Sequence, residues 1–304
     1  MHSSFYSLEY QRTRVRSAFK SAIGRMVIFV LATAMLGGCG NSSGAEHHAM
    51  NERIHIQLGQ SGDDILENYP GLFSMSDHPS GAKFHAARWT KDARGTVEIG
   101  PSETLFVIHH ALSATGNYSP SFANENIIEW NINAGLAESS PIMHDAARKQ
   151  FQSIRANLRK GSRHRYIDPD APRLSGENAL RYAESTPSVY GLDTDYEPTL
   201  DEWMHLPGRT LWKLWSKEGY LTIALSRDLS LNDVNQPGAY FIEFNLRSEK
   251  EQFHQLVGAD KRTVWQQALR AEIKLLKEKR QQAESTLRKQ GVNIDEAYQD
   301  PPGF

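Results

Sequence analysis

The chain holds one cysteine, Cys39, so no disulfide can close within it. Its stability must come from a packed interior instead. Apolar runs long enough to cross a bilayer are missing too. The stretch Met26 to Leu36 falls well short of the ~20 residues a helix needs to span the hydrocarbon. Strong charge of either sign is absent: 36 acidic residues nearly balance 34 basic ones. That balance offers no electrostatic footprint for a nucleic acid partner. There is no H-E-x-x-H, no P-loop and no dinucleotide fingerprint. "GQSG" (Gly59 to Gly62) lacks the second spaced glycine of a nucleophile elbow. These gaps do not exclude an enzyme, because catalytic residues are often scattered along a chain.

What is present is enough for one large domain or two small ones. Six tryptophans, Trp89, Trp130, Trp203, Trp212, Trp215 and Trp265, are spread through the chain and can seed a core. "RIHIQL" alternates, with Ile54, Ile56 and Leu58 on one side, as a half-buried strand does. Ser61 follows as a helix cap, with Asp64 as its capping-box partner. Further strands are expected over Lys83–Trp89, Gly95–Ile99, Thr104–His110 and Asn126–Asn133. Ser140-Pro141 is read as the start of a helix with Met143, Ala147, Phe151, Ile154 and Leu158 as its apolar stripe and Gly161 as its stop. "GENALRYAE" suggests a short helix, and strands resume at Thr210–Trp215, Tyr220–Ser226 and Ala239–Arg247. The final helix, Lys261 to Lys289, carries the seam Leu269, Ile273, Leu276, Ala283 and Leu287, interrupted by Arg280. A helix lying on its own protein explains that seam, and a partner helix is the rival. The predicted class is α+β: two helix-plus-antiparallel-sheet units, 53–138 and 139–247, then a long C-terminal helix and tail, 248–304. One fused domain is the competing architecture.

Few residues point to chemistry. His109 and His110 sit in an apolar strand and are expected on opposite faces, which argues against a shared metal. His164, Asp168 and Asp170 share a loop that suits a hydrolase, but Asp-Pro and Asp-Ala-Pro are also ordinary turns. No metal site is expected. The acidic, aromatic loop "YGLDTDYEPTLDEW" is the candidate partner-binding surface: Tyr190, Tyr196 and Trp203 as anchors, Asp193 and Asp195 as charges.

The front of the chain resembles a known pattern. Arg12, Arg14, Arg16, Lys20 and Arg25 precede the apolar run, and Leu36-Gly37-Gly38 stands directly before Cys39. This resembles the lipobox of bacterial lipoproteins. The resemblance implies a signal peptide over 1–38, cleavage before Cys39, a covalent lipid on its thiol, acylation of the new amino terminus, and no other cofactor. The membrane would then be the first partner. Gly40, in place of an aspartate, favours the outer membrane, with the protein facing the periplasm. "GNSSGAEHHAMNE" makes 39–52 a flexible tether. The helix "AARKQFQSIRANLRKG" (Ala146 to Gly161), with Arg155, Arg159 and Lys160 at its end, looks like one in periplasmic immunity lipoproteins that neutralise lipase-type type VI secretion effectors. That likeness implies a non-enzymatic protein that binds a secreted toxin. "LGQSGDDILENYPG" resembles the entry of small outer-membrane-assembly lipoproteins, which implies a scaffold instead. An envelope hydrolase is the third expectation.

Overall fold

The computed structural model describes residues 52–119, 124–160, 163–186 and 189–304. The expected signal peptide, the tether as far as residue 51, Cys39 and the expected helix stop at Gly161 lie outside these residues. β1 (Arg53–Ile56) buries Ile54 and Ile56 fully, as its alternation requires. Ser61 caps α1 (Gly62–Asn68), its hydroxyl accepting the Asp63 amide at 3.2 Å. The expected bond to Asp64 is thus replaced by one to its neighbour. β2 (Phe73–Asp77) escaped the sequence pattern because Phe73 is its only buried residue. It pairs with β3 (Lys83–Arg88).

β4 (Gly95–Ile99) pairs in parallel with β1 and antiparallel with the first half of β5 (Phe106–Tyr118). The second half of β5 takes β3 on the same edge. Between the halves His110 adopts φ 58° and the ladder slips register. The strict alternation expected of His109 and His110 is lost there, and their ring centroids lie 6.2 Å apart. Phe106, at the start of β5, meets Phe244 at 5.5 Å, ring to ring.

β6 (Ile127–Gly135) leads to β7 (Ile142–Met143) and α2 (His144–Lys160). The helix therefore starts later than expected. Ser140-Pro141 is a cis peptide, and the extended backbone after it pairs with β12 (Pro237–Gly238). Ala147, Phe151 and Leu158 of the stripe are buried, whereas Met143, ahead of the helix, is exposed. Next come β8 (His164–Arg165), α3 (Gly176–Ser185), β9 (Gly191–Leu192) and α4 (Leu200–His205). β10 (Arg209–Ser216), β11 (Gly219–Arg227) and β13 (Tyr240–Arg247) complete the strands.

The architecture is α+β. Among the described residues eleven strands form one mixed sheet whose main path is β1-β4-β5-β6-β13-β11-β10-β8. The stretches 53–138 and 139–247 both feed this sheet. They join where β6 pairs with β13 from Gly135↔Phe241 to Glu129↔Arg247. One continuous core follows, holding Trp130, Phe151, Trp203, Trp212 and Phe244. Phe151 lies 4.3 Å from Trp212 and 5.8 Å from Trp203, ring to ring, which docks α2 and α4 on the sheet.

α5 (Glu249–Val257) and α6 (Trp265–Lys289) end the chain's regular structure. α6 lies on its own protein. Only Ile273, Arg280 and Glu284 of it are buried. Arg280, which interrupts the apolar seam, is the clamp. It donates to the carbonyls of Ala171 (3.0 Å), Asp168 (2.9 Å) and Ile167 (3.3 Å) and grips both oxygens of Asp300. Glu284 accepts from Arg173 at 2.8 Å through each carboxylate oxygen. Leu287 packs on a second small core around Ile167, Leu174 and Tyr190. Phe304 closes against Tyr166, Tyr220 and Phe253, so the non-helical tail is part of the packing.

Candidate functional site

The acidic, aromatic loop is largely interior. Trp203 is fully buried and its indole N–H donates to the Tyr240 hydroxyl at 2.9 Å. Tyr190 is buried, its hydroxyl donating to the Pro172 carbonyl at 2.9 Å. Burial pushes its pKa up, against the opposing pull of Arg165 and the Leu174 backbone on the same hydroxyl. Asp193 is buried too, accepting the Gly176 and Asp195 amides at 2.8 and 2.9 Å. Tyr196 bonds Glu202 with its hydroxyl. Of the five expected contact residues only Asp195 is exposed, paired with Arg159 at 2.7 Å, while Glu197, Thr199 and Asp201 are the loop's other exposed positions. The expected aromatic anchors are therefore core residues that fix the loop. The reason is the register of the surrounding elements: α4 and β9 turn these side chains inward against α2 and α3, which the local sequence does not reveal.

Arg155 explains how the loop is held. It lies buried against Phe151 and donates to the Tyr196 carbonyl at 2.6 Å. Burial, aided by Arg159, lowers its pKa to about 10. The crevice between Asp193, Tyr196 and Trp212 is closed to water.

The hydrolase residues are not brought together as a catalytic pair. His164 is exposed and lies against Trp215 at 5.2 Å, while Asp168 binds Lys213. Asp170 is exposed in a turn. Among the described residues no three His, Cys, Asp or Glu side chains are grouped to hold a metal ion. Among them, too, no helix is long and apolar enough to cross a membrane.

A different arrangement stands out on the sheet. Buried and half-exposed residues alternate along β6 and β13, so one face meets the core and the other meets solvent in part. The outer face carries Glu129, Asn131 and Asn133 from β6, and Glu243, Asn245 and Arg247 from β13. Register aligns Asn117, Glu129 and Arg247 in one row and Thr115, Asn131 and Asn245 in the next. Glu129 accepts from Asn117 (2.9 Å), Arg247 (2.7 Å) and Asn245. Burial alone would raise its pKa, but Arg247 and the amide donors hold it below the usual carboxylate range. Asn245 also donates to Asn131 at 2.6 Å, and Asn133 to Ser113 at 2.9 Å. Farther along, the Arg209–Glu243 pair is wetter, with side chains 46% and 40% exposed. These side chains are ordered before any partner arrives. The sequence signal was there as a polar residue at every second position in "EWNIN" and "EFNLR". It identified strands, but which face stays open depends on the strand order.

No family model matches the chain, and neither a curated protein nor a solved structure is significantly similar to it.

Proposed function

We propose that the chain is a lipid-anchored protein of the bacterial envelope that acts by binding another protein. The docking face is the polar row of β5, β6 and β13. One observation carries this: Asn117, Glu129, Asn131, Asn245 and Arg247 are locked to one another on a partly buried face that still reaches solvent. Preordered side chains lose little freedom on binding, and amide and charge patterns select a partner. The lipobox-like "LGGC" supports the anchor. The most specific version is an immunity protein that covers a lipase-type effector, and an envelope-assembly scaffold is its rival.

The test places a photo-crosslinking residue at Asn131 and, as a control, at exposed Leu275 on α6. A single crosslinked protein from Asn131 but not Leu275 is expected. A secreted effector as that protein supports the immunity version, and an outer-membrane assembly component supports the scaffold. No crosslink specific to Asn131 refutes the docking face. Separately, Cys39→Ser should release the protein from membranes or leave it unprocessed. A mature, membrane-bound Cys39→Ser protein refutes the anchor.

A further inference from the structure

The loop between β11 and β12 is exposed throughout 229–237 and carries unusual side chains for a surface. Leu229, Leu231 and Val234 stand 54%, 41% and 44% exposed. Met143, 44% exposed, faces Pro237 across the β7–β12 pair. Clustered aliphatics on a surface mark a contact with something apolar.

The loop's own construction suits an apolar neighbour. Asp228 accepts from the Ser230 amide and hydroxyl at 2.9 and 2.7 Å, and Asp233 from the Asn235 amide at 2.9 Å. The Leu231 and Gln236 amides bond the Asp228 and Asp233 carbonyls. These donors are thus satisfied inside the loop, which removes much of the cost of leaving water. Below it, Gly238 sits on the buried ring of His144: a Cβ there would fall 2.3 Å from the imidazole. The loop therefore rises from a fixed base.

Its position points to the occupant. The Glu52 carbonyl, at the chain's entry into β1, accepts the Thr96 amide at 2.9 Å. Arg94, beside it, reaches the Ala137 carbonyl at 2.6 Å. The strand that follows Ala137 is β7, which pairs with β12 at the foot of the loop. Entry point and aliphatic loop thus share one end of the sheet. Twelve residues lie between Cys39 and Glu52. Such a segment reaches at most about 45 Å. A lipid on Cys39 would tether this end of the domain within that reach of the bilayer.

We propose that the loop bearing Leu229, Leu231 and Val234 is a second membrane contact, seating its side chains in the lipid interface beside the anchor. This rests on the lipid-anchor part of the function proposed above. The loop then sets the domain's orientation: the sheet end at Arg53 and Arg227 faces the bilayer, and the polar face of β6 and β13 is presented sideways. Apolar side chains on such loops sink into the headgroup and acyl boundary.

The test uses the full mature, lipidated chain in vesicles of phosphatidylethanolamine and phosphatidylglycerol. Cys39 is the only native cysteine and its thiol is blocked by the lipid, so a Leu231→Cys thiol is unique and takes one environment-sensitive fluorophore. Lys217→Cys, in the β10–β11 turn at the other end, is the reference. Spin-labelled lipids are expected to quench the Leu231 label several-fold more than the Lys217 label, and aqueous iodide to do the reverse. Leu229→Asp in the Leu231→Cys chain should abolish the difference without unfolding the protein, since Leu229 is exposed. Equal quenching at both sites in vesicles that carry the protein overturns the loop's role and leaves the anchor standing. A label that responds only when envelope protein is added overturns it in favour of a protein partner. Failure of the wild-type chain to float with vesicles overturns the anchor and this proposal together.

Discussion

Arg280→Ala should detach α6. The guanidinium makes three bonds to backbone carbonyls and a two-pronged pair with Asp300, whose side chain is 16% exposed. Breaking a buried pair by removing one partner costs about 3–5 kcal/mol. Each carbonyl left without a donor adds about 1 kcal/mol unless water replaces it. Lys277, 3.1 Å from Asp300, and water entering beside the alanine offset part of that. The net expectation is about 4 kcal/mol, or a fall in Tm of roughly 8–16 °C if the whole domain unfolds together. If α6 opens by itself, its amides should exchange about 1,000-fold faster while those of β6 and β13 keep their protection. Urea unfolding and hydrogen exchange separate the two cases. Arg280→Lys keeps the charge but loses the planar fork, and should fall between wild type and alanine. A loss below ~1 kcal/mol with unchanged exchange in α6 would mean the clamp is not what holds the helix.

Trp203→Ala should destabilise by about 3–5 kcal/mol, as for other large core aromatics, whereas Asp195→Ala should stay within about 0.5 kcal/mol. Similar values for both would place the loop's aromatic on the surface after all. Gly238→Ala drives a methyl into the buried His144 ring and should cost about 1–3 kcal/mol in thermal unfolding. The pH response follows from the same ring. Burial first, then Arg227, holds folded His144 below its ordinary value. Below about pH 6.5 the unfolded chain therefore binds a proton that the folded ring refuses. Stability is complete above that pH and falls as pH drops toward the folded value. Burial also lowers His85, His110 and His254, so they add in the same direction. His144→Gln should flatten the fall of stability with acidification between about pH 7 and 5, measured by urea unfolding. An unchanged slope removes His144 from the response.

Much of the local structure was legible from residue order alone. Alternation in "RIHI", the β-branched "GTVEI" and the run "YFIEFNLR" each commit a short segment to a strand, because side chains alternate faces every residue. The stripe Ala147, Phe151, Leu158 and the helix formers of α6 are periodic over several turns, so their helices were visible as well. The lipobox-like setting of Cys39 is likewise a matter of residue order. Pairing is another matter. That β6 of the first stretch lies against β13, more than a hundred residues later, is a long-range choice with no local signature. It merges the two expected units into one sheet and decides which polar residues remain outside. Trp203 and Tyr190 carry the same local chemistry buried or exposed, and only their contacts with Tyr240 and Pro172 turn them inward. Arg280 reads as a break in an apolar seam until the loop carbonyls of 167–171 and Asp300 converge on it. A charge in a helix stripe becomes a clamp only when distant segments bring it partners, and those partners exist only in the tertiary fold.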